Sequence, residues 1–422
     1  MYRHYVALLA TLSFAPIAQA QAMPAESTVA PSIAPFSLDQ ALAEAEKHAP
    51  ARDEAEASLR AAQAARAGAA LRPNPSLSVE VANVVGTGPY SGTAESEVTI
   101  GVELPLERGG KRAARIAVAD AESSAAHIAA AISMADLRAE ITQAYTDTVA
   151  AERRLANAQE QYAIASEALR VAKVRVRAGN ASPLEAQRAD VIQIQAHTNR
   201  VQQERLLTTA RDQLGRLVGR PVNGPLDSAW FAQIEGSMGP NSIQPASTLA
   251  LAAAQAEMIA ANARVRLADS QRIPDISINA GARRFQNSGD MAATVGLSIP
   301  LQIFNTGRPA LDQARALRDR AAAQERAALL RAHRDIAAAQ TALSNAADRA
   351  FAASGPALAA AEEAARIARI GYREGKFGQL DLIDANSTLA DTQAAAIDAL
   401  ADYHAAKAEL VRLTTPLVDG RI

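Results

Sequence analysis

The sequence predicts a mainly α-helical chain duplicated in tandem, each copy built from long helices and one β-hairpin. The glycine-punctuated break Gly371-Tyr372-Arg373-Glu374-Gly375-Lys376-Phe377-Gly378-Gln379-Leu380-Asp381 is nearly repeated at Val176-Arg177-Ala178-Gly179-Asn180-Ala181-Ser182-Pro183-Leu184-Glu185. Gly179 thus corresponds to Gly375, Leu184 to Leu380 and Glu185 to Asp381. Two more landmarks recur in the same order, at offsets of about 195 to 199 residues: Asn74-Pro75-Ser76-Leu77 with Ile273-Pro274-Asp275-Ile276, and Leu104-Pro105-Leu106 with Ile299-Pro300-Leu301. Ordered repetition of this kind marks a duplication. Composition agrees, because an aromatic share of 4% and a hydrophobic share of 49% that leans on alanine suit long helices packed closely side by side.

Taken in order, residues 1–20 read as a secretory signal peptide, with Arg3 and His4, an apolar run from Val6 to Ile17, and Ala18-Gln19-Ala20 as the cleavage site. That run is shorter than the roughly 20 residues needed to span a bilayer. Residues 21–36 form a flexible segment rich in Pro, Ala and Ser. The first copy occupies 37–218, a linker 219–247, the second copy 248–415, and a short tail 416–422.

In the first copy Ser37 is a good N-cap, and the pattern from Leu38 to Leu71 is helical until Pro73 and Pro75 stop it. The period then changes to two. Leu77, Val79 and Val81 alternate with Ser76, Ser78 and Glu80; beyond a glycine-rich loop, Val98, Ile100 and Val102 alternate with Glu97, Thr99 and Glu103. From Arg108 to Ala178 nothing breaks a helix after Gly110, so about 70 residues make a rod near 100 Å long. Pro183 starts a return helix to Val218. The second copy repeats the plan: a helix from Thr248, strands over 273–284 and 292–299, a rod from Pro309 to Gly371 that Gly355-Pro356 should kink or break locally, and a return helix from Gln379 to Leu413.

Each copy therefore offers one hairpin with an apolar and a polar face. Leu77, Val79, Val98, Ile100, Val102, Ile276, Ile278, Val295 and Leu297 are the candidates to face lipid; Glu80, Glu97, Glu103, Asn279 and Arg283 are the candidates to face water. An open edge is not tolerated in lipid, so four strands per chain require several chains to share one barrel. A soluble sheet with one face on a core is the alternative.

A net charge of −2 gives no electrostatic case for nucleic acid, and the absence of cysteine excludes disulfides and thiolate metal sites. The mature histidines His48, His127, His197, His333 and His404 are scattered, and each is expected on a helix surface; no metal site, cofactor or catalytic constellation is predicted.

The chain resembles the TolC family of outer-membrane efflux ducts over essentially the whole mature length. The match is most specific at Gly371-Tyr372-x-x-Gly375 followed by Leu380-Asp381-Leu382-Ile383-Asp384-Ala385, and the passages Arg72-Pro73-Asn74-Pro75 and Leu104-Pro105-Leu106-Glu107-Arg108-Gly109-Gly110-Lys111-Arg112 look most like its heavy-metal (cobalt–zinc–cadmium) branch. The resemblance implies a homotrimer with a twelve-stranded barrel in outer-membrane lipid above a periplasmic helical tunnel. It implies as partners a periplasmic adaptor and an inner-membrane, proton-driven RND pump. It also implies a periplasmic gate at Asp381, Asp384, Tyr372 and Glu185, with the Tyr372 hydroxyl bonded to Glu185. The family's arginine lock falls at Phe377, which cannot donate a hydrogen bond. The tips Gly179, Asn180, Ala181, Ser182 and Gly375, Lys376, Phe377, Gly378 are expected to meet the adaptor. Drug efflux and type I secretion remain open as cargo readings, and a secreted coiled-coil rod or adhesin is the alternative outside the duct class.

Overall fold

The computed structural model describes residues 35–235 and 248–416. The predicted signal peptide, most of the 21–36 segment, part of the linker and the end of the tail lie outside the described residues. The N-terminal helix is divided, not continuous: α1 (Leu38–His48) ends where Pro50 opens α2 (Pro50–Ala69). A proline is favourable at the first helical position and cannot continue the preceding helix. Ser37 caps α1 in a reciprocal box, its hydroxyl accepting the Gln40 amide at 3.2 Å while the Gln40 side chain accepts the Ser37 amide at 3.1 Å.

Strands β1 (Ser76–Ala82) and β2 (Glu97–Leu106) follow, then the 67-residue α3 (Lys111–Arg177) and its antiparallel return α4 (Pro183–Val218). The second copy gives α5 (Leu249–Ser270), β3 (Ile276–Phe285), β4 (Met291–Ser298), α6 (Arg308–Ala352), α7 (Leu358–Arg373) and α8 (Gln379–Thr414). Gly355-Pro356 neither breaks nor ends the second rod. Residues 353–357 widen into one π turn between α6 and α7, which absorbs the missing proline N–H. Among the described residues no helix is long and apolar enough to cross a membrane.

Long α3 packs on α2, α4, α5 and α8, which ties the two copies together. Most of the buried residues along it are alanines, such as Ala158, Ala165 and Ala172, so helix axes approach closely. Large side chains gather at the waist. Tyr145 and Phe231 are both 0% exposed there, among Ile141, Val149, Leu214 and Val218. The Tyr145 hydroxyl donates to the Phe36 carbonyl at 2.6 Å and lies 2.9 Å from that of Asp227. Two expectations change here. Trp230, read as part of a linker, sits in a 3₁₀ turn (Ala229–Ala232) packed on this core. His404 is buried, unlike the other mature histidines, with Nε2 at 3.0 Å from the Phe231 carbonyl. A carbonyl only accepts, so Nε2 carries the proton.

Candidate functional site: a two-faced sheet and paired hairpin tips

The four strands form one antiparallel sheet in the order β1-β2-β3-β4. Its register runs Leu77↔Val102↔Ala280↔Val295 and Val79↔Ile100↔Ala282↔Ala293. Directly paired residues share a face. All nine residues expected to face lipid therefore lie on one side, joined by Val81, Leu104, Leu106 and Met291. That side is bare in a single chain, with Val295 83% and Leu77 71% exposed. β1 spans seven residues, and β3 begins at Ile276, not at 273, because Pro274 precedes it.

The opposite side carries Glu80, Glu97, Thr99, Glu103, Asn279 and Arg283. Here Arg283 donates to the Thr99 hydroxyl and to Glu97, each at 3.0 Å, which crosses the boundary between the two copies. Gly101 pairs with Gly281, where any Cβ on Gly281 would collide with the Ile100 carbonyl. Where strands meet helices, Asp275 accepts the Arg108 amide at 3.0 Å and pairs with Lys111 at 2.8 Å. Glu107 pairs with Arg115, and that hydrogen bond holds its carboxyl below the usual carboxylate range.

At the far end of the rods, the two tips are the same turn built twice. In the first, the Gly179 amide donates to the Val176 carbonyl at 3.0 Å and Asn180 to Arg175 at 2.9 Å. In the second, Gly375 donates to Tyr372 at 3.2 Å and Lys376 to Gly371 at 2.8 Å. Gly179 and Gly375 sit at φ of 73° and 71°, the left-handed conformation that closes a helix and favours glycine.

The restarts differ. Ser182 caps α4 through its hydroxyl, 3.3 Å from the Leu184 amide, whereas at α8 the Asp381 carboxylate reaches back to the Gly378 amide at 2.8 Å. Asp381 is therefore engaged in its own helix start; Asp384, three residues on, shares that exposed face. The tips touch through Gln379, whose amide donates to the Glu185 carbonyl at 3.3 Å, and through Arg175, which lies over the Tyr372 ring at 5.1 Å.

Within one chain the expected Tyr372–Glu185 hydrogen bond is not formed. Tyr372 is held by Arg175 instead, and Glu185 Oε2 is buried without a hydrogen-bond partner. Phe377, at the position of the family's arginine, lies against Gly371, where any Cβ would collide with its ring. Sequence reading missed Arg175, because its role depends on a neighbour 197 positions away.

The family model described as "Outer membrane efflux protein" matches residues 41–220 and 246–415. Among curated relatives, the cobalt-zinc-cadmium resistance protein CzcC of Cupriavidus metallidurans is 30% identical over 326 residues, 75% of each chain. The nickel and cobalt resistance protein CnrC of the same organism is 30% identical over 291 residues, 68% of each chain. Among solved structures, the outer membrane protein VceC of Vibrio cholerae superposes with a TM-score of 0.72 at 21% identity, covering 90% of this chain and 96% of that one. CusC superposes with a TM-score of 0.74 at 17% identity, covering 90% and 92%. The chain shares the fold of these neighbours, long paired helices joined to a four-stranded antiparallel sheet. The chain belongs to the outer membrane efflux protein family: it is an outer-membrane channel whose helical barrel lies in the periplasm.

Proposed function

We propose that three copies of this chain form the passive exit duct of a tripartite pump for divalent heavy-metal cations. The observation that carries the trimer is the sheet. Its β1 and β4 edges are unpaired and one face is apolar apart from Arg284 at its end, and such a sheet enters lipid only when closed. Two chains would give eight strands, whose interior side chains fill; three give twelve, wide enough for an open lumen. The nine apolar candidates then face lipid, and Glu80, Glu97, Glu103, Asn279 and Arg283 face water. The metal cargo is supported by the relatives named for cobalt, zinc, cadmium and nickel resistance.

Energy and selection come from an inner-membrane RND pump, handed on by a periplasmic adaptor that meets the tips at residues 179–182 and 375–378. The entrance lies just inside them. Asp381 and Asp384 from three chains bring six carboxylates to one constriction and concentrate cations there. Glu185 Oε2, unpartnered in one chain, is available to a neighbouring chain, and the Phe377–Gly371 contact supplies apolar closure in place of the arginine lock.

Growth of a deletion strain on graded zinc, cobalt, cadmium, copper and a few drugs tests the cargo. Sensitivity to one or more divalent metals, restored by the gene, is expected. Sensitivity confined to drugs would replace the metal reading with drug efflux.

A further inference from the structure

We propose that the barrel closes in one specific register, with Ser298 of β4 facing Ser78 on β1 of the next chain; this rests on the trimeric reading above. The sheet within one chain is the template. One pair beyond Glu97↔Phe285, the Gln286 amide donates to the Ser96 carbonyl at 2.9 Å. Bonded and non-bonded pairs alternate along an antiparallel ladder. Even-numbered residues of β2 therefore bond to β3, and odd-numbered ones turn to β1. The Phe285 amide donates to the Asp290 carbonyl at 3.0 Å, so even-numbered positions of β4 turn back to β3. What remains unpaired at the two edges is the backbone of Met291, Ala293, Val295 and Leu297 on β4 and of Leu77, Val79 and Val81 on β1. The edges match, since both present residues whose side chains lie on the apolar face.

The duplication sets which of them meet. Ala70 and Gln271 are the C-caps of α2 and α5, which makes Pro73 the counterpart of Pro274 and Asn74 that of Asp275, two residues from the alignment expected above. Pro105 remains the counterpart of Pro300. Leu77 then corresponds to Ile278 and Val102 to Leu297. The pair Leu77↔Val102 in the first hairpin is indeed Ile278↔Leu297 in the second. Carrying the β2–β3 pair Glu103↔Asn279 to the chain boundary by the same correspondence gives Ser298↔Ser78, and Leu104↔Ile278 gives Ile299↔Leu77.

The closed barrel is geometrically sound. Leu77 pairs with Val102, Val102 with Ala280, Ala280 with Val295, and Val295 then meets Val81 of the next chain, a shift of four residues per chain and twelve per trimer. A barrel whose shear equals its strand number has strands tilted by about 36°. Membrane barrels tilt by about 35–45°. Slipping the boundary so that Ser298 faces Glu80 or Ala82 tilts the strands beyond that range; slipping it to Ser76 flattens them below it. The lumen side has room for this register, because Gly296 would face Glu80 and carries no side chain to crowd it.

The chain contains no cysteine, so engineered thiols are the only ones present. Ser298→Cys is combined in turn with Ser76→Cys, Ser78→Cys, Glu80→Cys and Ala82→Cys, oxidised in outer membranes, and run on non-reducing gels. Non-bonded partners have Cα atoms about 4.5 Å apart, within disulfide reach, while a two-residue slip adds about 7 Å along the strand. Covalent dimers and trimers from S298C/S78C, about tenfold above the other three pairs, are expected on that difference in reach. Crosslinking that peaks at another β1 position, or none from any pair in a trimeric parent, overturns the register alone. A parent that is not a trimer in mild detergent fails the assembly reading and the register with it. Should a double variant not assemble, polarised infrared spectra of the parent in oriented bilayers give the tilt: about 36° supports the register and more than about 45° overturns it.

Discussion

The waist and the tips are built on the same long helices, yet they hold together in different ways. At the waist Tyr145, Phe231, Ile141 and Leu214 are fully buried, and Tyr145 and His404 secure the backbone carbonyls of Phe36 and Phe231. Near the tips the buried positions are mostly small: Ala172, Ala189, Ala365, Ala368 and Gly371. Small residues let helices approach closely but remove little apolar area from water. Stability is concentrated at the waist, and the tips are joined by a few polar contacts that can rearrange at little cost.

The largest effect therefore belongs to Phe231→Ala, which empties a fully buried site between Arg153, Trp230 and His404 and should cost about 3–5 kcal/mol in chemical unfolding. Gly375→Val should cost less, about 1–2 kcal/mol, because it strains one left-handed residue with open space around it. Its functional effect should be the reverse in rank: transport and crosslinking to the adaptor fall while the trimer persists. Crosslinking equal to the parent's would count against docking through this turn.

A smaller contrast is pH. Burial holds the His404 imidazole below its ordinary value of 6.5, with Lys407 adding to the effect and the Phe231 carbonyl opposing it. The folded state thus prefers neutral His404. Its contribution is complete above pH 6.5 and is lost as pH falls through the depressed folded value. Protection factors of waist amides, corrected for the intrinsic pH dependence of exchange, should fall below pH 6.5 in the parent, and less so in His404→Gln. An equal fall in both would place the sensitivity elsewhere.

Much of this architecture was legible because the signals are local. Alternation at Leu77, Val79 and Val81 and at Val98, Ile100 and Val102 assigns the faces of β1 and β2, and paired glycines mark the tips. The burial of His404 was not legible, since nothing in an alanine-rich helix shows that Phe231 and Trp230 return to cover it. The partner of Tyr372 was not legible either: Arg175 and Glu185 lie on different helices, and only the packed hairpins decide which one reaches the ring. Helix breaks were half legible. Pro50 and Pro356 are visible in the sequence, but whether a proline starts a new helix or is absorbed in a π turn depends on what packs around it.

Single-channel recording of the purified protein in planar bilayers decides whether the protein is a lipid-embedded trimeric duct with Asp381 and Asp384 lining its entrance. The parent should insert and conduct in discrete steps, with a preference for cations and block by multivalent cations from the periplasmic side. Asp381→Asn with Asp384→Asn should keep the steps, shift the reversal potential toward non-selectivity and relieve the block. A trimer that inserts without conducting would contradict the duct. A double variant that selects and blocks like the parent would leave these two carboxylates as helix-start residues and place the entrance elsewhere.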